Sequence, residues 1–341
     1  MAERDRRRQK RKERPPQQSI EKAQVTVESR AKRSFTLSLR DRLTMGVAIG
    51  GALAIASVAG FCLNSQPQQV PNLTDQEIVT ELKGLNQDLG NADNDQTTAI
   101  LGRSFELATI FFCKEVSCSP DQYQSFKGSM ILQDKDTFFK EASEKVTCKG
   151  QIVDPNTTAY TDPFLKKTYF NRETNNDPAG AELLFGDGLH ELYHLKAPLL
   201  QLNNDGKREP YQPNATTHPI ALVHGVKRQI LQPEKNLPGK VCYGVYRQPL
   251  DEAIVEHSAS LGTQRLGIKK RLAYTSEVEN YTELVRYHYA RDHRILLGLQ
   301  QQSRDEDFIR NVGAKLGYSP AEQLGQGDIF LAEYFNPIRS N

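Results

Sequence analysis

The chain has 341 residues, 38% of them hydrophobic and 25% charged, with a formal net charge of +2. That length accommodates one large or two small domains with proper cores, while the composition excludes a wholly disordered chain and a mean hydropathy of −0.60 excludes a multispanning membrane protein. The near-neutral total hides a division, because residues 1–42 carry 14 Lys+Arg against 6 Asp+Glu and leave the remainder acidic.

Residues 1–43 are rich in Arg, Gln and Pro and read as a disordered basic tail. Met45–Leu63 follows, 19 residues without a charge. As a helix it extends roughly 28 Å, close to the hydrocarbon thickness of a bilayer, so 44–64 is expected to be a single transmembrane helix. A secretory signal peptide is the rival reading, but the region ahead of the apolar run is too long for a typical signal, and Phe61 before Cys62 does not suit lipoprotein cleavage. The excess of Arg and Lys before the span places the N-terminus in the cytoplasm and residues 65–341 outside it. The tail then lies beside anionic lipid rather than on nucleic acid. Gly46 and Gly50 form a GxxxG spacing that permits close helix approach.

Residues 65–96 are a Pro/Gln spacer and a short helix, Thr74–Leu89, opened by a Thr74/Glu77 capping box and ended by Asn91–Asp95. The remaining 97–341 are expected to form one mainly helical (α+β) domain. Thr98–Cys113 is an apolar helix. The stretch 120–175 mixes strand-like runs (Ser129–Leu132, Gly150–Val153) with loop. Asp177 and Pro178 open a helix running to Lys196, as Asp caps and Pro suits the first turn. Residues 202–240 read as loop, although the run around His218 and His224 has the character of a strand. Further helices are expected from Pro249 to about Gly262 and over Glu277–Gln300.

Cys113, Cys118, Cys148 and Cys242 are an even set compatible with two disulfides in an oxidising compartment. Three connectivities are open, and reduced buried thiols are the alternative. Asn72, Asn156, Asn214 and Asn280 begin N-x-[ST] sequons, which matter only in a glycosylating host.

The chemistry concentrates in Gly186–Lys196, which contains His190-Glu191-Leu192-Tyr193-His194. On a helix, positions i and i+4 share a face, so both imidazoles can reach one Zn²⁺. Glu191 faces the side left open for water, where its carboxylate can act as general base on a water whose pKa zinc lowers to around 7. A third protein ligand is required. The metzincin pattern fails, because Leu200 stands where its third His would be. Glu252 and Glu256 share a helix face downstream, so the first can bind zinc and the second can orient a ligand histidine. His218, His224 and His257 are the alternatives for the third ligand.

These two segments resemble the gluzincin class of zinc peptidases, in which an HExxH helix precedes a second helix bearing a ligand Glu, with an acidic residue four positions on. The resemblance implies a zincin-like fold, His190, His194 and Glu252 as zinc ligands, and Glu191 as catalytic base. Glu256 stands where that class often has Asp, and Lys196 where its extended signature prefers an apolar residue. A donor to the transition state is also implied, with His288, Tyr281 and Tyr287 as candidates. The function expected is a membrane-anchored zinc metallopeptidase acting on peptide or protein substrates. The alternative is a catalytically silent zincin-like ectodomain that serves as a binding or assembly module.

Overall fold

The computed structural model describes residues 69–145, 153–212, 219–233, 240–271 and 273–317, with the side chains of 144–145, 230 and 232–246 left aside. Its architecture is α+β and mainly helical. Among the described residues no helix is long and apolar enough to cross a membrane. Met45–Leu63, expected to do so, lies outside them, as do Cys148, His218 and most of Gly150–Val153.

Helix α1 (Asp75–Leu89) carries the expected capping box: the Thr74 hydroxyl accepts from the Glu77 amide at 3.2 Å, and Glu77 accepts from the Thr74 amide at 2.6 Å. Asn91–Asp95 does not hold the chain open for long. Asp93 pairs with Gln96 in a second capping box, so α2 (Asn94–Val116) begins four residues before the expected Thr98. A third box, Ser119 with Gln122 and Pro120 in the first turn, opens α3 (Pro120–Lys127) in a stretch expected to hold only strands and loop. Strand β1 (Met130–Gln133) and helix α4 (Lys135–Lys145) follow, then β2 (Ala159–Asp162) and β3 (Lys167–Asn171). The three strands form a sheet in the order β1-β3-β2, β3 pairing parallel with β1 and antiparallel with β2.

Helix α5 (Gly180–Lys196) is the centre of the molecule and packs on α1, α2 and β2. It starts later than the Asp-Pro pair suggests. Asp177 folds back on the Ala179 amide, while the free amides of Ala181 and Glu182 are met by Asn86 Oδ1 from α1, at 2.9 and 3.4 Å. Tertiary packing has replaced the local cap. From Gly180 to His194 nearly every side chain of α5 is buried, against Phe105, Ala108 and their neighbours in the largest hydrophobic cluster.

The expected loop at 202–240 is instead most of a five-stranded antiparallel sheet. Strands β4 (Leu199–Leu202), β5 (Arg208–Pro210), β6 (Ala221–His224), β7 (Lys227–Pro233) and β8 (Lys240–Tyr246) lie in the order β5-β4-β6-β7-β8. The polar run Asn203–Lys207, which suggested loop, is the turn between β4 and β5. Gly225, at φ +64°, makes the tight β6–β7 turn.

Helix α6 (Gln248–Leu266) then crosses α5. The single helix expected over Glu277–Gln300 is two, α7 (Thr275–His288) and α8 (Arg294–Gln301). Ala290 and Arg291, both at positive φ, break it without a Gly or Pro to announce the break. Helix α9 (Asp305–Lys315) ends the described chain and packs Phe308 and Val312 with Leu250, Ile254 and Leu284 in a second core.

Candidate metal centre and its cavity

Helices α5 and α6 bring the expected ligand residues together. The His190 Nε2, His194 Nε2 and Glu252 Oε2 atoms form a triangle with sides of 3.1, 3.2 and 3.2 Å. Donors at about 2.0–2.1 Å from one tetrahedral ion stand about 3.3 Å apart, so these spacings are those of a metal site. All three residues are buried and form a group that can hold an ion.

The far side of each ring explains the arrangement. His190 Nδ1 lies 2.9 Å from Glu256 Oε2, as the i, i+4 spacing of Glu252 and Glu256 implied. His194 Nδ1 lies 3.2 Å from Asp251 Oδ2, a partner the sequence reading missed. With a carboxylate behind each Nδ1, both Nε2 lone pairs converge on the Glu252 oxygen, a group of bases that a cation completes. The electrostatics agree. Burial pushes both imidazoles down, but Glu252, Glu256 and Asp251 outweigh it and hold them above the usual histidine range. Burial opposes ionisation of Glu252, yet His194 and His190 keep it well below the usual carboxylate range.

Two further contacts fix this frame. Asp251 Oδ1 accepts the Val226 amide at 2.8 Å, which ties His194 to the β6–β7 turn. A Cβ on Gly225 would stand 2.1 Å from that same oxygen. Behind Glu256, the Lys270 ammonium contacts Oε1, its stem passing so close to α5 that a Cβ on Gly186 would meet it at 2.9 Å.

Glu191 lies beside the triad in a cavity of about 1010 Å³. Thr161 on β2 donates to its Oε2 at 2.7 Å. Burial raises the Glu191 carboxyl above its ordinary value, against the opposing pull of His190 and His194, which brings it towards the range of a general base. Among the described residues β2 pairs on one side only, so its outer edge faces the cavity that Ala159, Tyr160 and Thr161 line.

The other candidates take different places. His224 lines the cavity with its ring 6.4 Å from that of His194, outside the triad. Its strand β6 is internal, between β4 and β7, so the free edge at the cavity belongs to β2. His257 turns away to meet Thr282 at 3.1 Å and His293. None of the three expected donors lines the cavity: Tyr281 is buried in the second core, Tyr287 is 69% exposed, and His288 lies near the end of α7. Tyr274 is there instead, stacked on His190 at 6.2 Å with its backbone at φ +53°. Although Tyr274 is 41% exposed, Glu252 first, then partial desolvation and Glu191, raise its phenol, which keeps the proton. It stands in the α6–α7 connection, where no periodicity marks a residue, and the unusual φ of a non-glycine is visible only in the fold. Cys113 and Cys118 form a disulfide at the end of α2.

Comparison with protein-family models, with curated proteins and with solved structures gave no match.

Proposed function

We propose that the protein is a gluzincin-type zinc metallopeptidase with a zincin-like domain held outside the cytoplasm by the 44–64 segment. The observation that carries this reading is the triangle of His190, His194 and Glu252 donors with the Thr161-held carboxylate of Glu191 in the same cavity. A zinc ion, when bound, supplies Lewis acidity, lowering the pKa of water towards neutrality and stabilising charge on a carbonyl oxygen. The fit rests on donor chemistry, two imidazoles and a carboxylate at tetrahedral spacing, which suits zinc.

The chain's own residues supply the rest. Glu191 takes the proton from the attacking water and returns it to the departing amine. Thr161 holds that carboxylate in place. Tyr274, protonated and stacked on His190, donates to the oxygen that gains charge. The free edge of β2 offers backbone groups to an extended peptide laid beside it. The Cys113–Cys118 disulfide and the basic tail ahead of the span support an extracytoplasmic domain.

The test is hydrolysis of a labelled unfolded protein by the zinc-loaded full chain, beside Glu191→Gln. Turnover should fall by about 10²–10⁴-fold in the variant while its zinc content stays the same. Equal rates would remove Glu191 from the chemistry. Zinc bound by the wild type without any turnover would leave a binding or assembly module.

A further inference from the structure

Three basic side chains line the cavity, and two are already neutralised. Lys270 contacts Glu256, and Arg271 contacts Asp187 and donates to Asn175 Oδ1 at 3.0 Å. Lys227 is different: among the described residues no carboxylate lies within ion-pair distance of it. It is half-buried, so water screens its charge less than it would on an open surface.

The position of Lys227 is set by the β6–β7 hairpin. It pairs directly with His224, and cross-strand partners project from the same face of a sheet. Gln229, two residues on, shares that face, and all three line the cavity. His224 in turn stacks on His194, while Tyr274 stacks on His190 at the other end of the ligand pair. The two ends therefore differ in charge. Asp154 and Glu277 line the cavity towards Tyr274, where Lys270 and Arg271 are already paired, whereas the Lys227 ammonium, unpaired among the described residues, lies beside His224. Burial first, and then the charge of Lys227, push the His224 imidazole down to about 3.

We propose that Lys227 is a specificity-determining residue which binds a carboxylate of the substrate at the His194 end of the cavity. This rests on the peptidase reading and adds a substrate class to it: peptides with a negative charge on one side of the reacting bond. Two groups share that chemistry, an Asp or Glu side chain and a free C-terminal carboxylate. The first would make the enzyme an endopeptidase selective for acidic sequences, the second a carboxypeptidase. An ammonium with no carboxylate in ion-pair distance among the described residues gains a charge-assisted hydrogen bond from either.

Binding separates this inference from the catalytic one. Labelled octapeptides are titrated by fluorescence anisotropy against the zinc-loaded full chain carrying Glu191→Gln, which slows their turnover by about 10²–10⁴-fold. One peptide has a central Glu and an amidated C-terminus, one a central Gln and an amidated C-terminus, and one a central Gln and a free C-terminus. One of the two charged peptides should bind about fivefold tighter than the neutral one, and which one identifies the source of the carboxylate. Adding Lys227→Glu should abolish or invert that order, and Lys227→Arg should keep it. An unchanged order in Lys227→Glu, equal affinities, or no binding by any peptide would overturn the proposal. Failure of the wild type to cleave the peptides would count against the peptidase reading alone and leave the binding order to be judged on its own.

Discussion

Asp305 and Glu252 are both carboxylates shut away from solvent, 0% and 7% exposed, and each gathers basic side chains around it. Around Asp305 stand three guanidiniums: Arg208 from β5 at 2.5 Å, Arg228 from β7 at 2.7 Å and Arg247, just ahead of α6, at 2.7 Å. Guanidinium keeps its charge at any ordinary pH, so this cluster is closed within the protein and clamps the five-stranded sheet to α9. Around Glu252 the bases are imidazoles, which are cationic only when protonated, and each already faces another carboxylate in Glu256 or Asp251. The surrounding carboxylates hold those imidazoles above the usual histidine range, and a metal cation would take the place of their Nε2 protons. A buried carboxylate is therefore no sign of function by itself; the kind of base beside it decides.

The comparison is broken most severely at Asp305. Asp305→Asn should cost about 3–5 kcal/mol in denaturant unfolding, since it removes the counter-charge of the buried Arg247 and leaves Arg208 and Arg228 to Glu306 alone, and should leave metal stoichiometry unchanged in whatever protein remains folded. Glu252→Gln should do the reverse, weakening metal affinity while costing the metal-free protein far less. A smaller effect is expected where the metal frame joins the sheet. Gly225→Ala puts a side chain at positive φ against Asp251, and should cost about 1–2 kcal/mol and weaken metal binding about tenfold through His194.

His257 adds a pH dependence, as an imidazole that meets no carboxylate among the described residues. Burial, and then His293, hold it down at about 4. The unfolded chain takes that proton near the ordinary histidine value of about 6.5. Between those values the unfolded state binds more protons, so this contribution to stability is complete above about pH 6.5 and is lost as pH falls towards 4. His257→Gln should flatten unfolding free energies measured across that window.

Much of the metal centre was legible in the sequence, because a helix converts spacing into direction. His190 with His194, and Glu252 with Glu256, needed only the i, i+4 rule. What escaped came from elements whose contacts are long-range. Thr161 reaches Glu191 from a short strand in a stretch expected to be largely loop, and Asp251 meets His194 only because α5 and α6 cross. Tyr274, and none of the three expected donors, lines the cavity because the connection between α6 and α7 reaches it. Most of the five-stranded sheet was hidden for a related reason: its hairpins are rich in turn residues, and a short strand such as Leu199–Leu202 carries little periodic signal, while the run ending at His224, read as strand-like, is strand β6.

The central claim is that α5 and α6 build a metal site, and metal content tests it most directly. The full-length wild type and Glu252→Gln are purified in parallel, equilibrated with zinc and desalted, and zinc per chain is measured. The account predicts one zinc in the wild type and its loss, or at least about a hundredfold weaker binding, in the variant. A folded wild type without zinc, or a variant that keeps it undiminished, would contradict the account.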